Sequence, residues 1–169
     1  MNCIMNKVNK LTTHFQNMDK DAFFGKYGRL MEIAKVEILN PAVQALVHFW
    51  DPDYRRFTFG SLDLCPTLEE YGVLTEFPRE LYIYYFPLRS DKIIPELSKL
   101  VRVSDLERFF EKNAAGLKWK MLEFELENKF KAEKERLIVL GIFGLVLFPS
   151  QTGIISLEVV ATYIEYENT

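Results

Sequence analysis

Apolar residues recur at the three- and four-residue spacing of an α-helix in several parts of the chain. Residues 19–35 carry one such stripe on a single helix face, made of Phe23, Tyr27, Leu30, Met31 and Ala34. Asn40-Pro41 predicts the start of a short, nearly all-apolar helix that ends at Trp50, because Asn caps helices and Pro suits their first turn. Two capping boxes, Thr67–Glu70 and Ser104–Glu107, predict further helix starts. The pattern as a whole predicts a mainly α, compact domain of about six helices.

The longest apolar run, Leu137 to Phe148, has 12 residues and is bounded by Pro149. It is shorter than the ~20 residues that span a bilayer, so we interpret it as a fully buried helix. Gly141 and Gly144 within it favour close helix–helix approach, since the missing side chains let two backbones touch. Residues 118–136 mix acidic and basic side chains at helical spacing, which is typical of a solvated helix face.

A different, two-residue period marks Tyr54 to Leu64. Apolar and polar residues alternate there in two short runs on either side of Gly60-Ser61, with Phe57, Phe59, Leu62 and Leu64 at the apolar positions. This arrangement predicts one short β-hairpin at 54–64.

Nothing in the sequence divides residues 19–169 into separate domains, and residues 1–18 are treated as an N-terminal lead segment. Leu157 to Tyr166 forms an apolar helical stripe with Ser156 as the expected N-cap. We predict no partner for this stripe, and therefore expect the domain to be truncated at its C-terminus. No secretory signal or membrane span is recognised, so the expected location is nuclear or cytoplasmic, with no membrane partner.

Composition narrows the classes of protein that remain. The 169 residues include 49% hydrophobic and 14% aromatic residues, which is too apolar for a disordered tail. Two cysteines cannot build a disulfide scaffold, and they are expected to be free thiols. The formal net charge of −3 argues against a protein whose main task is to grip nucleic-acid backbone.

Candidate chemistry is sparse along the chain. His14 and His48 lack a second ligand at helical spacing, and His48 is expected to be a hydrogen-bonded core residue. Cys65 lies near a predicted helix start, which would activate a thiol, but a small buried residue is the commoner role for such a cysteine. We therefore predict no catalytic, cofactor-binding or metal-binding residues, no cofactor and no enzymatic activity, with a site at Cys65 as the enzymatic alternative.

One small surface stands out as a candidate for binding. Arg55 and Arg56 adjoin Tyr54 and Phe57 on the predicted hairpin, and together these four residues form a basic and aromatic spot. Contact with a protein, binding of nucleic acid and ordinary hairpin packing are all compatible with this composition.

The stretch from Ala45 to Leu74 contains an apolar helix ending in Trp, a turn, an aromatic hairpin and a C-P-T-x-E-E-Y helix start. In this order of features, and in the segments Ile93–Phe110 and Leu137–Pro149, the chain resembles the plant mobile domain family. The resemblance is to its retroelement-linked, uncharacterised branch, and the family also carries an aminotransferase-like label.

This resemblance implies a mainly helical, transposon-derived domain that acts in the nucleus, in gene or transposon silencing. It supplies no catalytic residues, and we recognise no phosphate cup or Schiff-base lysine for pyridoxal phosphate. The expected function is therefore non-enzymatic and works through protein–protein contacts. A nucleic-acid-binding module that uses the basic aromatic hairpin is the alternative.

Overall fold

The computed structural model describes residues 2–36, 39–54, 56–65, 70, 72–73, 76, 90–110, 116–148 and 153–168. Its helices in these ranges are α1 (Asn2–Phe15), α2 (Lys20–Tyr27), α3 (Leu30–Ile33), α4 (Asn40–Val47), α5 (Ser90–Val101), α6 (Trp119–Asn128), α7 (Lys131–Ile142) and α8 (Leu157–Asn168). A 3₁₀ turn at Leu106–Phe109 and a π-helical turn at Phe143–Leu147 complete the helical elements. The strands are β1 (Trp50–Asp51), β2 (Arg56–Phe59), β3 (Leu62–Leu64), β4 (Gly116–Lys118) and β5 (Ile154–Ser156). The prediction of a mainly α domain with one short hairpin is confirmed.

The core is built around α7, which contacts α1, α3, α5 and α6. Residues Leu137–Gly144 are all buried, as the apolar run predicts, and residues 145–148 are half-buried. Helix α1 lies within residues 1–18, and its Val8, Leu11 and Phe15 are also buried in this core.

Two glycines allow close packing on α7 and the turn that follows it. A Cβ atom on Gly141 would lie 2.9 Å from Leu11 Cδ1, and one on Gly144 would lie 2.6 Å from Ile155 Cγ1. The predicted close helix–helix approach is found at Gly141, whose neighbour is α1, whereas the element that packs against Gly144 is strand β5 and not a helix.

Helix α8 covers the far side of this core. Val159, Val160, Ala161, Tyr163 and Ile164 are buried, and the helix contacts α5, β4, β5 and the π-helical turn. The expectation that its apolar stripe has no partner is therefore wrong. Its N-cap is confirmed, because the Val159 N–H donates to Ser156 Oγ over 3.3 Å.

A second antiparallel pair was not foreseen. Strand β4 pairs with β5 in a register that opposes Leu117 and Ile155. A Cβ on Gly116 would lie 2.6 Å from the Ile155 carbonyl oxygen, so this strand requires glycine at its first position.

The predicted hairpin is present as β2 and β3, which are joined through Gly60 at φ +63°. Strand β1 pairs with the other edge of β2, giving a three-stranded antiparallel sheet in the order β1-β2-β3. Helix α4 leads into this sheet, and the Phe49 N–H donates to the Leu46 carbonyl over 3.0 Å.

The helix predicted from Ser104–Glu107 is shorter than expected. Asp105 adopts a left-handed conformation (φ 56°) and makes no side-chain cap, and the chain forms a single 3₁₀ turn before Phe110 bridges to Leu117. Most of the capping box at Thr67–Glu70 lies outside the described residues. Within the described part of the chain, no helix is both long and apolar enough to cross a membrane.

Candidate functional site

The three-stranded sheet has two chemically distinct faces. Cross-strand partners share a face, and the register opposes Trp50 to Phe57, Phe57 to Leu64, and Phe59 to Leu62. The same register places Asp51 opposite Arg56, and Thr58 opposite Asp63, on the other side. Alternation along each strand thus separates an apolar face from a polar one.

We define the apolar sheet face as the set Phe49, Trp50, Phe57, Phe59, Leu62 and Leu64. The Trp50 and Phe57 rings meet edge-on with their centroids 5.0 Å apart, and the Phe49 and Phe59 rings are 4.5 Å apart. Trp50 remains 42% exposed and Leu62 57% exposed, and none of the six is buried. The strands therefore bring together an ordered aromatic cluster that is open to contact from outside.

The polar face is internally paired. Arg56 Nη1 lies 2.8 Å from Asp63 Oδ2, and Thr58 Oγ1 donates to Asp63 Oδ1 over 3.0 Å. The Arg56 guanidinium also stacks 4.6 Å from the centroid of the Tyr54 ring. Its Nε is buried without a hydrogen-bond partner. Most of the positive charge of Arg56 is therefore committed within the sheet.

The structure divides the four residues predicted as an interaction surface. Tyr54 and Arg56 lie together, with Tyr54 exposed, while Phe57 belongs to the apolar sheet face. Arg55 lies outside the described residues.

Sequence reasoning did not assign Phe49, Trp50, Leu62 and Leu64 to a binding surface. The available signal was the apolar half of the hairpin alternation combined with an apolar α4. Helix α4 itself contains no buried residue, and its Val43, Leu46 and Val47 are exposed. An apolar helix usually lies in the core, whereas α4 is exposed. The exposed apolar residues of α4 precede those of the apolar sheet face in the chain.

None of the candidates for metal and nucleophile chemistry is buried. His14 is half-buried and His48 is exposed, so the expectation of a core role for His48 is wrong. Cys65 is a free and exposed thiol, not the small buried residue expected. Among the described residues, no three His, Cys, Asp or Glu side chains are grouped to hold a metal ion.

A buried carboxylate forms the main polar cluster of the helical body. The Glu167 side chain is 1% exposed, accepts a hydrogen bond from the Tyr27 hydroxyl over 2.7 Å, and lies 3.1 Å from Lys26 Nζ. Arg136 Nε is 3.6 Å from the same carboxylate. The pKa of Tyr27 is raised well above its usual value. Burial of the phenol is the largest cause, and its hydrogen bond to Glu167 is the next.

A cavity of about 250 Å³ adjoins this cluster and is lined by charged residues of both signs. Lys26 and Arg136 pair with Glu167 there, and Arg102 lies 3.5 Å from Glu133. Because these charges compensate one another, the cluster fits a structural role that ties helices together.

Fold and surface together define a mainly helical domain that presents an apolar, aromatic β-sheet face. Residues 8–169 match the family described as a domain of unknown function (DUF7745), and the chain belongs to that family. No curated protein and no solved structure matches the chain.

Proposed function

We propose that this protein is a non-enzymatic interaction domain that binds protein through its apolar sheet face. The observation that carries the proposal is the exposure of an ordered aromatic cluster on a three-stranded sheet. Exposed apolar patches of this kind are typical of protein-binding surfaces, in which aromatic residues supply much of the binding energy.

The chemistry of the two faces favours protein over nucleic acid as the partner. Nucleic acid is held by uncompensated cations and by aromatic rings available for stacking. Here Arg56 is paired with Asp63 and covered by Tyr54, while the rings of the apolar sheet face have no cation beside them in the described part of the sheet. The surface is thus better suited to apolar side chains than to phosphates.

The resemblance to the plant mobile domain family supports a proposal for the cellular compartment and the process in which this interaction takes place. On that basis we propose a transposon-derived domain that works in the nucleus, through protein contacts, in gene or transposon silencing. Localisation of a fluorescent fusion tests the compartment, and exclusion from the nucleus would contradict this part of the proposal.

Affinity capture with matched variants tests the interaction. The face variant Leu62→Lys/Leu64→Lys places two charges on the apolar sheet face, and the control variant Val36→Lys/Phe130→Lys makes the same change at exposed positions elsewhere. We expect an identified protein to be recovered with the wild type and the control and lost with the face variant. Binding of that purified protein should then weaken at least roughly tenfold with the face variant.

Recovery that does not differ between the face and control variants would contradict the proposal. A parallel titration with duplex and single-stranded DNA and RNA tests the alternative. Tight, salt-dependent binding that Arg56→Gln weakens would favour the nucleic-acid module instead.

A further inference from the structure

The apolar sheet face carries a size gradient that makes it complementary to itself. From the register, one row across the sheet runs Trp50, Phe57, Leu64. Large rings therefore occupy the β1 edge and leucines the β3 edge, where Leu62 lies beside Phe59. Packing favours large residues opposite small ones, and a second copy of the same face provides that arrangement at the two edges of the sheet, while the Phe57 and Phe59 rings of the central strand meet their own counterparts.

We propose that the partner of the apolar sheet face is a second copy of this chain, packed face to face about a two-fold axis parallel to the strands. Such an axis places β1 of one copy over β3 of the other, so that Trp50 meets Leu64 twice. Stacked sheets pack about 10 Å apart with their side chains interleaved. This inference rests on the proposed function, since it names the partner of the same surface.

The apolar sheet face exposes an area of the size that marks functional patches. Four of its large side chains are exposed, namely Phe49, Trp50, Leu62 and Leu64. At on the order of 100 Å² each they present roughly 400 Å², within the ~300–600 Å² of the largest patch on a typical monomer, which is often functional. A contact of the sheet face alone is smaller than the ~800 Å² that each partner contributes to a standard interface, so we expect a dimer that dissociates on dilution.

The charge distribution permits two identical faces to meet. None of the six residues of the apolar sheet face is ionisable, so a two-fold contact brings no like charges together there. The neighbouring charges, Arg56 and Asp63, lie on the opposite face and neutralise each other at 2.8 Å. A strongly charged partner, by contrast, would find no complementary group on this face.

Sedimentation velocity from about 1 to about 100 µM tests the dimer. We expect the wild type and the control variant Val36→Lys/Phe130→Lys to approach twice the 19.9 kDa chain mass as concentration rises. The face variant Leu62→Lys/Leu64→Lys should remain near 19.9 kDa, and its dimer dissociation constant should be at least roughly tenfold higher than that of the wild type. Circular dichroism confirms that each variant keeps the helical content of the wild type.

A mixing experiment tests the arrangement of the two copies. Trp50→Glu and Leu64→Lys chains should each be monomeric alone, because a charge enters both symmetric contacts. Mixed, they should form a heterodimer, since one contact gains an ion pair and the other keeps Trp50 against Leu64. Failure of the mixture to associate would overturn the proposed arrangement, even if the wild type dimerises.

Three results would overturn the dimer itself: a wild type that is monomeric throughout, a dimer that the face variant does not weaken, or equal weakening by face and control variants. None of them decides the proposed function. A monomeric wild type whose captured partner is lost with the face variant would retain the interaction surface and assign it to a different protein.

Discussion

At the scale of single residues, Glu167 connects helices α2, α7 and α8 through one buried carboxylate. Its partners are Lys26, Tyr27 and Arg136, and the neighbouring Tyr166 hydroxyl donates to the Lys26 carbonyl over 3.0 Å. A buried charge is costly unless it is fully hydrogen-bonded. This one is surrounded by donors, so it stabilises the attachment of α8.

Replacement of Glu167 by Gln should destabilise the fold by about 1–3 kcal/mol. The loss stays at or below the low end of the 3–5 kcal/mol typical of broken buried pairs, because Lys26 and Arg136 are 37% and 41% exposed and water can solvate them. Urea unfolding measures the change. Glu158→Gln, an exposed carboxylate on the same helix, is the control and should shift stability by less than about 0.5 kcal/mol. Equal effects of the two variants would contradict the role of Glu167.

The raised pKa of Tyr27 predicts alkaline destabilisation. Burial, and then the bond to Glu167, keeps this phenol protonated in the folded state, while in the unfolded chain it ionises near its ordinary pKa of about 10. The stability that this difference contributes is therefore present below pH ~10 and is lost as pH rises further, by up to about 1.4 kcal/mol per pH unit.

Urea unfolding at several values between about pH 8 and pH 11 measures this loss. We expect the free energy of unfolding of Tyr27→Phe to decline less steeply above pH ~10 than that of the wild type. The variant lacks the phenol whose ionisation differs between the folded and the unfolded state. Lysine titration affects both proteins alike, so the difference between the slopes is diagnostic. Identical slopes would show that Tyr27 does not carry the effect.

At the scale of elements, Gly144 controls how closely the π-helical turn approaches β5. An added Cβ would lie within 2.6–2.9 Å of three side-chain atoms of Ile155, which is itself 1% exposed. The turn and the strand cannot both keep their positions once that methyl group is present.

Gly144→Ala should therefore destabilise the fold by about 1–3 kcal/mol, because overpacking outweighs the helical preference of alanine. Gly25, in α2, has no atom within 4 Å of such a Cβ. Gly25→Ala should instead stabilise by about 0.5–1 kcal/mol. Thermal unfolding of both variants, run side by side, should give shifts of opposite sign. A stabilising Gly144→Ala would refute the close approach.

Local sequence patterns predict the elements whose determinants are local. The hairpin follows from the alternation around Gly60, and the start of α8 follows from Ser156. Strands β4 and β5 have three residues each and pair across a long separation, so neither has a sufficient pattern of its own. At Asp105 the left-handed backbone replaces the predicted cap, which the letters Ser-x-x-Glu cannot indicate.

The candidate site was predictable in position but not in composition. The pattern predicts an interaction surface on the hairpin that consists of Tyr54, Arg55, Arg56 and Phe57. It could not separate these side chains by face without the register, nor foresee that Asp63 neutralises Arg56. The sequence pattern does not predict strand β1, because two residues carry no periodicity. The pairing of Trp50 with Phe57 is therefore not predicted either.

At the scale of the whole molecule, burial is distributed unevenly. The helices around α7 hold the buried core, whereas no described residue between Leu39 and Cys65 is buried. Segments with few buried apolar contacts open more readily than those in the core. The surface proposed for binding is thus carried by a unit of low local stability, which contact with a partner should stabilise.

Hydrogen–deuterium exchange tests this distribution. We expect amides of β2 and β3 to exchange at least roughly tenfold faster than those of α7 in dilute protein, because opening the sheet exposes little buried apolar surface. Under conditions that favour the dimer, β1–β3 should become protected in the wild type and in Val36→Lys/Phe130→Lys, but not in Leu62→Lys/Leu64→Lys. Exchange in α7 should be nearly unchanged throughout, which serves as the internal reference. Strong protection of β2 and β3 in dilute monomeric protein would instead mean that another part of this chain covers the sheet, and the apolar face would not be available to a partner.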